Sequence, residues 1–316
     1  MDVVEVPGPA TDLEESTTDV RTLDIDSLAM VASVARMRRV GVSSAPFGDG
    51  LPTISVVVPA LNEAPNLPYV LPLIPTWVSE VILVDGGSTD DTVAVAKALM
   101  PDIQIVTQSG RGKGNALRAG FTSASGDIIV MLDADGSTLP TEIPAFVGVL
   151  LAGADFAKGS RFSQGGGSED ISLFRSLGNL YFVVMARLLF GGRYTDLCYG
   201  YNAFWRRHLD VLELDADGFE VETMMNLRAL QRGLKVVEVS SFEACRRFGS
   251  SRLRAVPDGM RVLRIVLRER LSRQGRMWRT RGRHRGRALR RNQRIGLPSL
   301  ADAAAEMAVR PSPGAG

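Results

Sequence analysis

Short aliphatic runs alternate with helical segments through the middle of this chain, and this alternation limits the folds open to it. The runs predicted to be buried strands are "ISVVVPA" at 54–60, "EVILVDGG" at 80–87, "DIQIVTQ" at 102–108 and "GDIIVMLDADG" at 126–136. Helices are expected between them, including one in "NEAPNLPYVLPLI" after the first strand. Strands and helices that alternate at this spacing predict an α/β fold with a doubly wound, mainly parallel sheet and flanking helices.

The rest of the chain divides by charge into three parts. Residues 1–50 are acidic and are predicted to be a disordered segment, residues 51–256 form the main domain, and residues 257–316 form an Arg-rich helical or disordered tail. With 45% hydrophobic and 23% charged residues, the composition is that of a globular protein. No apolar run reaches the roughly 20 residues of a membrane span, and no secretory signal is visible, so a cytoplasmic location is expected. Cys198 and Cys245 are predicted to be reduced thiols.

Polar side chains follow three of the predicted strands at the point where each strand ends. Asn62 and Glu63 follow the first, Asp85 ends the second, and Asp133 and Asp135 end the fourth. Ligands of doubly wound sheets bind beyond the carboxyl ends of the strands, so one crevice could collect all of these groups. The two aspartates could hold a divalent cation against a diphosphate, and oxygen ligands favour Mg²⁺ or Mn²⁺ over zinc. An Asp-x-Asp pair can equally be part of a turn completed by Gly136.

Four blocks of sequence together resemble family 2 glycosyltransferases. They are "VVVPALNEAPNL", "VILVDGGSTDDT", "GRGKGNALRAGF" and "GDIIVMLDADGS", in this order and spacing, and the likeness extends over about residues 53–256. Members of that family are inverting enzymes with a GT-A fold that use nucleotide-sugar donors. The resemblance therefore implies that residues 51–256 are a glycosyltransferase catalytic domain acting as a hexosyltransferase.

The resemblance also implies roles for individual residues. Asp135 would bind the metal, with Asp133 beside it near the ribose and diphosphate. Lys113 would neutralise diphosphate charge, although a basic turn in solvent is the alternative, and Arg161 would lie near the sugar or form a structural salt bridge. The residues expected at the nucleoside are Pro59, Asn62, Glu63 and Asp85.

Blocks in the second half are similar to dolichol-phosphate mannosyltransferases and related polyprenyl-phosphate glycosyltransferases. "TDLCYGYNAFWRR" matches their acidic block through Asp196 and Gly200, and "RRFGSSRLR" matches their basic block. Three positions depart from the family pattern, namely Tyr199 in place of serine, Asn202 in place of arginine and Arg252 in place of lysine. The resemblance implies a polyprenyl phosphate or similar phosphorylated acceptor, with a UDP-linked or GDP-linked sugar as donor.

Two routes for the reaction remain open from the sequence. A hydroxyl acceptor needs a carboxylate base, for which the candidates are Asp196, Glu220 and Glu222. A phosphate acceptor is already anionic and needs cations instead, and the arginines expected to bind it are Arg246, Arg247 and Arg252. A soluble phosphorylated acceptor, or a protein that binds nucleotide sugars without transfer, are the alternatives.

The Arg-rich tail predicts a peripheral contact with anionic lipid at the inner face of the membrane. A polycation also binds nucleic acid non-specifically. We expect no specific nucleic-acid function, because no aromatic residues are interleaved with the arginines in a recognisable binding motif.

Overall fold

The computed structural model of this protein describes residues 52–272. Its main sheet contains seven strands, and a separate two-stranded sheet lies beside it. In chain order the strands are β1 (Ile54–Ala60), β2 (Glu80–Asp85), β3 (Gln104–Thr107), β4 (Ile128–Met131), β5 (Phe156–Ser160), β6 (Gly167–Ser168), β7 (Asn202–Trp205), β8 (Val236–Ser240) and β9 (Phe242–Glu243).

The order in the main sheet is β3-β2-β1-β4-β7-β5-β8, and β6 pairs with β9. Every pairing is parallel except those of β7, which runs antiparallel to both β4 and β5. The predicted doubly wound, mainly parallel sheet with flanking helices is thus confirmed. The chain moves outward from β1 to β3 and then returns to place β4 on the other side of β1, so the strand order reverses between β1 and β4. Ligand sites of such sheets form at this reversal.

Seven α-helices occur in the described part of the chain. They are α1 (Thr92–Leu99), α2 (Lys113–Ser123), α3 (Ile143–Leu151), α4 (Leu173–Phe190), α5 (Leu209–Leu212), α6 (Glu220–Gln231) and α7 (Ala255–Leu271). Short 3₁₀ turns occur at Leu67–Tyr69, Leu71–Leu73, Pro140–Glu142 and Arg206–His208.

The main core lies between the sheet and helices α2 and α6. Strand side chains such as Val57, Val84 and Phe204 pack there against Leu117 and Met224, all of them almost fully buried. Helix α2 approaches the sheet closely at Gly120. A Cβ on Gly120 would lie 2.4 Å from Val57 Cγ1 and 2.8 Å from Val84 Cγ2, so a larger residue would push the helix away from the strands.

The prediction of a helix after the first strand is wrong. Residues 64–75 form two separate 3₁₀ turns, Leu67–Tyr69 and Leu71–Leu73, instead of one α-helix. Prolines at positions 65, 68, 72 and 75 explain this, because each removes a backbone donor and obstructs the preceding turn. The apolar residues of the segment still pack, and Leu67 and Leu71 are fully buried.

Helix α4 is longer and more exposed than a core helix. Among the described helices it alone is long and apolar enough, by length and composition, to cross a membrane, and only 22% of it is buried within the protein. Its inner side, with Asn179 and Val183, packs against the protein.

The tail expected from residue 257 begins inside helix α7. Val262, Ile265 and Val266 of this helix are buried in the main core, because they recur with the helical period on one side. The packed part of the chain therefore continues to at least Leu271. The predicted acidic segment and most of the Arg-rich tail lie outside the described residues.

Candidate active site

A cleft opens where the strand order reverses. Strand β4 pairs with β1 only from Ile54 to Val57, so the two strands separate beyond that point. Pro59, which has no N–H to donate, lies in the part of β1 that pairs with β2 but not with β4. The space beyond contains a first chamber, the β1 chamber, lined by residues that include Pro59, Glu63, Gly86 and Gln108.

A second chamber, the β5 chamber, lies beside the first. Its lining includes Arg161, Arg175, Tyr199, Gly200 and Glu222. Both chambers share a set of residues that we call the junction, which consists of Lys113, Asp133, Asp135, Phe219, Arg246 and Ser251. The cleft is therefore one continuous space with its charged groups at the middle.

Lys113 joins two acidic side chains at this junction. Its Nζ lies 2.6 Å from Asp133 Oδ1 and 2.6 Å from Glu222 Oε1. Burial by itself would lower the pKa of Lys113, but the two carboxylates outweigh burial and raise that pKa above its usual value. Burial likewise raises the pKa of the Glu222 carboxyl, against the opposing effect of Lys113. Lys113 is thus a permanently protonated cation, as an anionic ligand would require.

Glycines on either side of Lys113 allow it to reach this position. Lys113 is the first residue of α2, and Gly112 before it has a φ of 91°, a conformation that L-residues rarely adopt. A Cβ on Gly114 would lie 2.1 Å from the carbonyl oxygen of Ala216. Gly114 N–H instead donates to the carbonyl of Asp217 at 2.7 Å, which fixes the start of α2 against the segment before α6.

Gly200 brings the backbone of the β5 chamber close to the same group. A Cβ at this position would lie 2.6 Å from Glu222 Oε1, 2.9 Å from Lys113 Nζ and 3.1 Å from Asp133 Oδ2. Only glycine leaves room for the three charged groups to meet. The close contact explains why "TDLCYGYNAFWRR" has a glycine at position 200.

Asp135 and Glu63 face a second cation, Arg246. Asp135 Oδ1 accepts hydrogen bonds from the backbone and hydroxyl of Ser137 at 3.0 and 2.7 Å, while Asp135 Oδ2 lies 3.3 Å from Arg246 Nη1. The same guanidinium contacts Glu63, whose pKa burial raises. Asp135, the predicted metal ligand, therefore lies at the junction, with the Arg246 guanidinium beside its Oδ2 oxygen.

The other residues predicted at the nucleoside hold their own loops in this structure. Asp85 accepts from the backbone N–H groups of Gly87 and Ser88 at 3.2 and 3.1 Å, and Asn62 accepts from Thr89 N–H at 2.8 Å. Neither Asn62 nor Asp85 lines the β1 chamber, although their neighbours Leu61 and Gly86 do. Direct contact of Asp85 and Asn62 with a nucleoside remains a prediction.

Asp196 is placed differently from the catalytic base suggested by its sequence. It is fully buried, and its two oxygens accept from Arg161 Nε and Nη2 at 2.7 and 3.1 Å. Although burial would raise the pKa of Asp196, the bonds from Arg161 hold it below the usual range. Arg161 also pairs with Glu243 at 3.0 Å. Because neither oxygen of Asp196 is free to receive a substrate proton, the structure assigns Asp196 to holding Arg161.

The two glutamates of α6 have different surroundings. Glu222 lines the β5 chamber beside Lys113. Glu220 accepts from Gly218 N–H at 3.1 Å and lines neither chamber. Positions two residues apart on a helix face different directions, so only one of the pair can point into the cleft. As a base for a hydroxyl acceptor, Glu222 remains a candidate and Glu220 does not.

The predicted phosphate-binding arginines lie mostly on the side of the β1 chamber. Arg247 stacks on the Tyr69 ring, 4.6 Å from its centroid, and Arg252 donates to the carbonyl of Leu61 at 3.1 Å. Of the three, only Arg246 lines both chambers. The β5 chamber instead offers Arg175, near the start of α4, which sequence reasoning missed because it lies in an otherwise apolar helix.

Lys158 is a second residue that the sequence did not single out. It lies fully buried on β5, and its ammonium donates to the carbonyls of Gly159 and Tyr199 at 2.9 and 2.6 Å. Burial lowers its pKa. The bond to Tyr199 fixes the backbone next to Gly200, which lies against Lys113, Asp133 and Glu222. A charged residue inside the strand run "ADFAKGSRF" is the signal that could have revealed it.

A divalent metal fits the junction only as an ion shared with a ligand. Asp133 and Asp135 offer carboxylate oxygens on side chains that are 26% and 22% exposed. Within residues 52–272, no three His, Cys, Asp or Glu side chains cluster to form a metal site. Ions such as Mg²⁺ are commonly held by one or two carboxylates together with substrate phosphates. Asp135 and Asp133 would therefore hold the ion, and the phosphates of a bound ligand would supply further oxygen ligands.

The chain is similar in sequence to known glycosyltransferases. The model of the glycosyl transferase family 2 matches residues 55–212. The polyprenol monophosphomannose synthase of Mycolicibacterium smegmatis is 31% identical over 211 residues, covering 63% of this chain and 80% of that protein. The dolichol-phosphate mannosyltransferase of Pyrococcus furiosus is 29% identical over 210 residues, covering 64% of this chain and 59% of that longer protein.

Solved structures show the same fold. Glucosyl-3-phosphoglycerate synthase from Mycobacterium tuberculosis, crystallised with Mn²⁺, UDP and glucosyl-3-phosphoglycerate, superposes with a TM-score of 0.55 at 25% identity, over 73% of this chain and 86% of that one. The predicted GT-A fold and glycosyltransferase activity are thereby confirmed. The family model covers half of the chain, including Lys113, Asp133 and Asp135 of the junction, and the chain therefore belongs to glycosyl transferase family 2.

Proposed function

We propose that this protein is an inverting glycosyltransferase that moves a sugar from a nucleotide-sugar donor to a polyprenyl phosphate. The observation that carries the proposal is the two-chamber cleft with Lys113, Asp133 and Asp135 at its junction. A donor in the β1 chamber and an acceptor in the β5 chamber would meet at these charges. The names of the M. smegmatis and P. furiosus relatives support this choice of acceptor.

The diphosphate of the donor would lie at the junction. A divalent cation bound there would neutralise the charge of the leaving diphosphate, and we favour Mn²⁺ over Mg²⁺ because the M. tuberculosis neighbour was crystallised with Mn²⁺ and UDP. Lys113 adds a protein cation whose raised pKa keeps it charged at neutral pH. Asp133 and Glu222 orient the Lys113 ammonium from two directions, so it is already positioned before the diphosphate arrives.

The β5 chamber suits a phosphate acceptor better than a neutral hydroxyl. Arg175 lines it and pairs with Asp170 at 3.1 Å, on side chains that are 26% and 39% exposed. Arg246 reaches the chamber from the junction. A phosphate oxygen is anionic at neutral pH and needs no base, so the pairing of Glu222 with Lys113 is no obstacle to attack.

A soluble phosphorylated acceptor is the second candidate. The structural neighbour that supports it is a glucosyl-3-phosphoglycerate synthase crystallised with its glucosylated product. Both acceptors present a phosphate or carboxylate to the same arginines. They differ in the apolar tail that a polyprenyl phosphate carries and phosphoglycerate does not.

Transfer assays with radiolabelled donors can decide between the two. The full chain is incubated with Mn²⁺ and UDP-linked or GDP-linked sugars, together with polyprenyl phosphate in detergent or with phosphoglycerate. Label that becomes extractable into organic solvent only with polyprenyl phosphate supports the proposal. Label in a charged water-soluble product would establish the second candidate, while UDP or GDP binding without turnover of any donor would contradict transfer. Asp135→Ala is the control and should be inactive because it removes the expected metal ligand. It should still fold, because Asp135 lies in the loop after β4 and contributes little to the core.

A further inference from the structure

Helix α4 presents an apolar surface that no described part of the protein covers. Leu173 and Leu188 at its two ends are 77% and 79% exposed. The other large apolar side chains exposed on the same helix are Phe174, Leu177, Leu180, Tyr181 and Val184. Their spacing of three, four and seven residues places them along one side of the helix.

Helix α7 adds a second apolar stripe. Val256, Met260, Leu267 and Leu271 are exposed and recur with the helical period. The line of contact between the two helices, which we call the seam, is lined by Phe174, Gly178 and Phe182 of α4 and by Ala255, Gly259 and Val262 of α7. An α-helix turns by 100° per residue. By this measure, the exposed stripe of each helix lies next to the residues of the same helix that line the seam. Together they form one surface, the α4–α7 face.

The size of this face sets it apart from ordinary surface leucines. Of the sixteen large hydrophobic residues exposed in the described part of the chain, seven are on α4 and four on α7. Apolar residues exposed singly are normal on soluble proteins, whereas a continuous patch marks an interaction site.

All exposed charges on the two helices are positive. Helix α4 contains no acidic residue and carries Arg175 and Arg187. The two acids of α7, Asp258 and Glu269, are buried and paired with arginines. The remaining exposed charged side chains of α7 are Arg261, Arg264 and Arg268. Acids of neighbouring segments pair with two of these arginines, Asp170 with Arg175 and Asp215 with Arg268, but the two helices themselves expose only cations beside their apolar stripes. Such a combination complements the headgroups and acyl region of an anionic lipid surface.

The same charges argue against a second copy of this chain as the partner. A two-fold interface would place the face against itself, so arginines would meet arginines with no exposed acid on either helix to pair with them. Spanning a membrane is also disfavoured, because α4 is bound to the domain along its inner side. Asn179 accepts from the backbone N–H groups of Leu197 and Cys198 at 3.0 and 3.2 Å, and Arg187 donates to the carbonyl of Tyr194 at 2.8 Å.

We propose that the α4–α7 face lies on an anionic phospholipid bilayer, with α4 parallel to its surface. The seam between the helices also reaches Arg161 and Glu222 of the β5 chamber. A molecule anchored in that bilayer could therefore reach the cleft along the seam. Lipid binding by the face does not depend on the proposed acceptor, and it is measured without donor or acceptor present.

Vesicle sedimentation of the full chain tests the proposal. We expect binding to phosphatidylcholine vesicles that contain about one third phosphatidylglycerol and much weaker binding to phosphatidylcholine alone. The double variant Leu180→Glu/Leu188→Glu should lose binding by about tenfold or more, because it places two anions in the apolar stripe. Leu73→Glu/Leu151→Glu, at exposed leucines of other elements, is the matched control and should bind like the unmodified protein. Circular dichroism shows whether each variant is folded.

Fluorescence separates the face from the Arg-rich tail. Tyr181→Trp places a reporter in the stripe, and its emission is obtained by subtracting that of the unmodified protein, which has three tryptophans of its own. This emission should shift to shorter wavelength and be quenched by brominated lipids when vesicles are added.

Three results would overturn the proposal. Vesicle binding that is unchanged in the double glutamate variant, or a reporter tryptophan whose emission does not respond to vesicles, would assign lipid binding to the tail. A dimer in sedimentation velocity that the double variant abolishes, without lipid binding, would favour self-association instead.

Discussion

The guanidinium of Arg246 lies 3.3 Å from Asp135 Oδ2, although the two residues are 111 positions apart in the chain. It also contacts Glu63, so one arginine pairs with two carboxylates. A divalent metal that binds Asp135 would have to compete with this cation or bind beside it. We therefore expect the ion pair to weaken metal binding at Asp135 before any donor is present.

Replacing Arg246 is expected to strengthen metal binding to the donor-free protein. Arg246→Gln removes a positive charge next to Asp135, so the dissociation constant for Mn²⁺ should fall by about 3- to 10-fold, as measured by calorimetry. Arg247→Gln is the control, because Arg247 stacks on Tyr69 away from Asp135. Weaker Mn²⁺ binding in Arg246→Gln would contradict a metal site at Asp135.

Gly200→Ala should damage activity more than stability. Its methyl group would enter the space shared by Lys113, Glu222 and Asp133, so these groups must separate. We expect a fall in kcat/KM of about 10- to 100-fold, as for small displacements of reacting groups. The free energy of unfolding should fall by about 1–3 kcal/mol, as measured by urea denaturation. Gly148→Ala, where a Cβ meets nothing within 4 Å, should leave activity unchanged.

Asp196→Asn is expected to destabilise the protein strongly. The substitution breaks the buried ion pair between Asp196 and Arg161 and leaves the guanidinium only its contact with Glu243, which costs about 3–5 kcal/mol of unfolding free energy in urea denaturation. Asp217→Asn breaks an ion pair with Arg118 whose acid is 68% exposed, so it should cost no more than about 1 kcal/mol. Full stability of Asp196→Asn with complete loss of turnover would return Asp196 to the role of base.

The buried Lys158 should make stability depend on pH in the alkaline range. Its pKa in the folded protein lies below the ordinary 10.5, so between the two values the unfolded chain binds more protons and the free energy of unfolding rises with pH. The difference in unfolding free energy between the unmodified protein and Lys158→Met should increase as the pH rises through the lowered pKa towards 10.5. Lys97→Met, on the exposed side of α1, serves as the control for the loss of one ammonium group. A difference in unfolding free energy for Lys158→Met that does not change with pH would contradict the lowered pKa.

Much of this fold follows from local sequence patterns. The aliphatic runs of β1, β2 and β4, with the helices α1 and α2 between β2 and β4, specify a parallel sheet, because each pattern has only one way to bury its apolar side. Because Asp133 and Asp135 directly follow β4, the strand delivers both carboxylates to the carboxyl edge of the sheet. The glycines around Lys113 in "GRGKGNAL" likewise indicate a close approach of backbone. The sequence by itself thus determined the fold, the edge that carries the site and the identity of its central charges.

Which charges meet was decided by the tertiary structure alone. Asp196 and Glu222 are similar acids in sequence, yet one is locked by Arg161 and the other faces Lys113 in the cleft. The partners of a charged side chain depend on which distant segments come within about 4 Å of it, and periodicity does not contain that information. The α4–α7 face has the same origin, since whether an apolar helix side is buried or exposed depends on what packs against it.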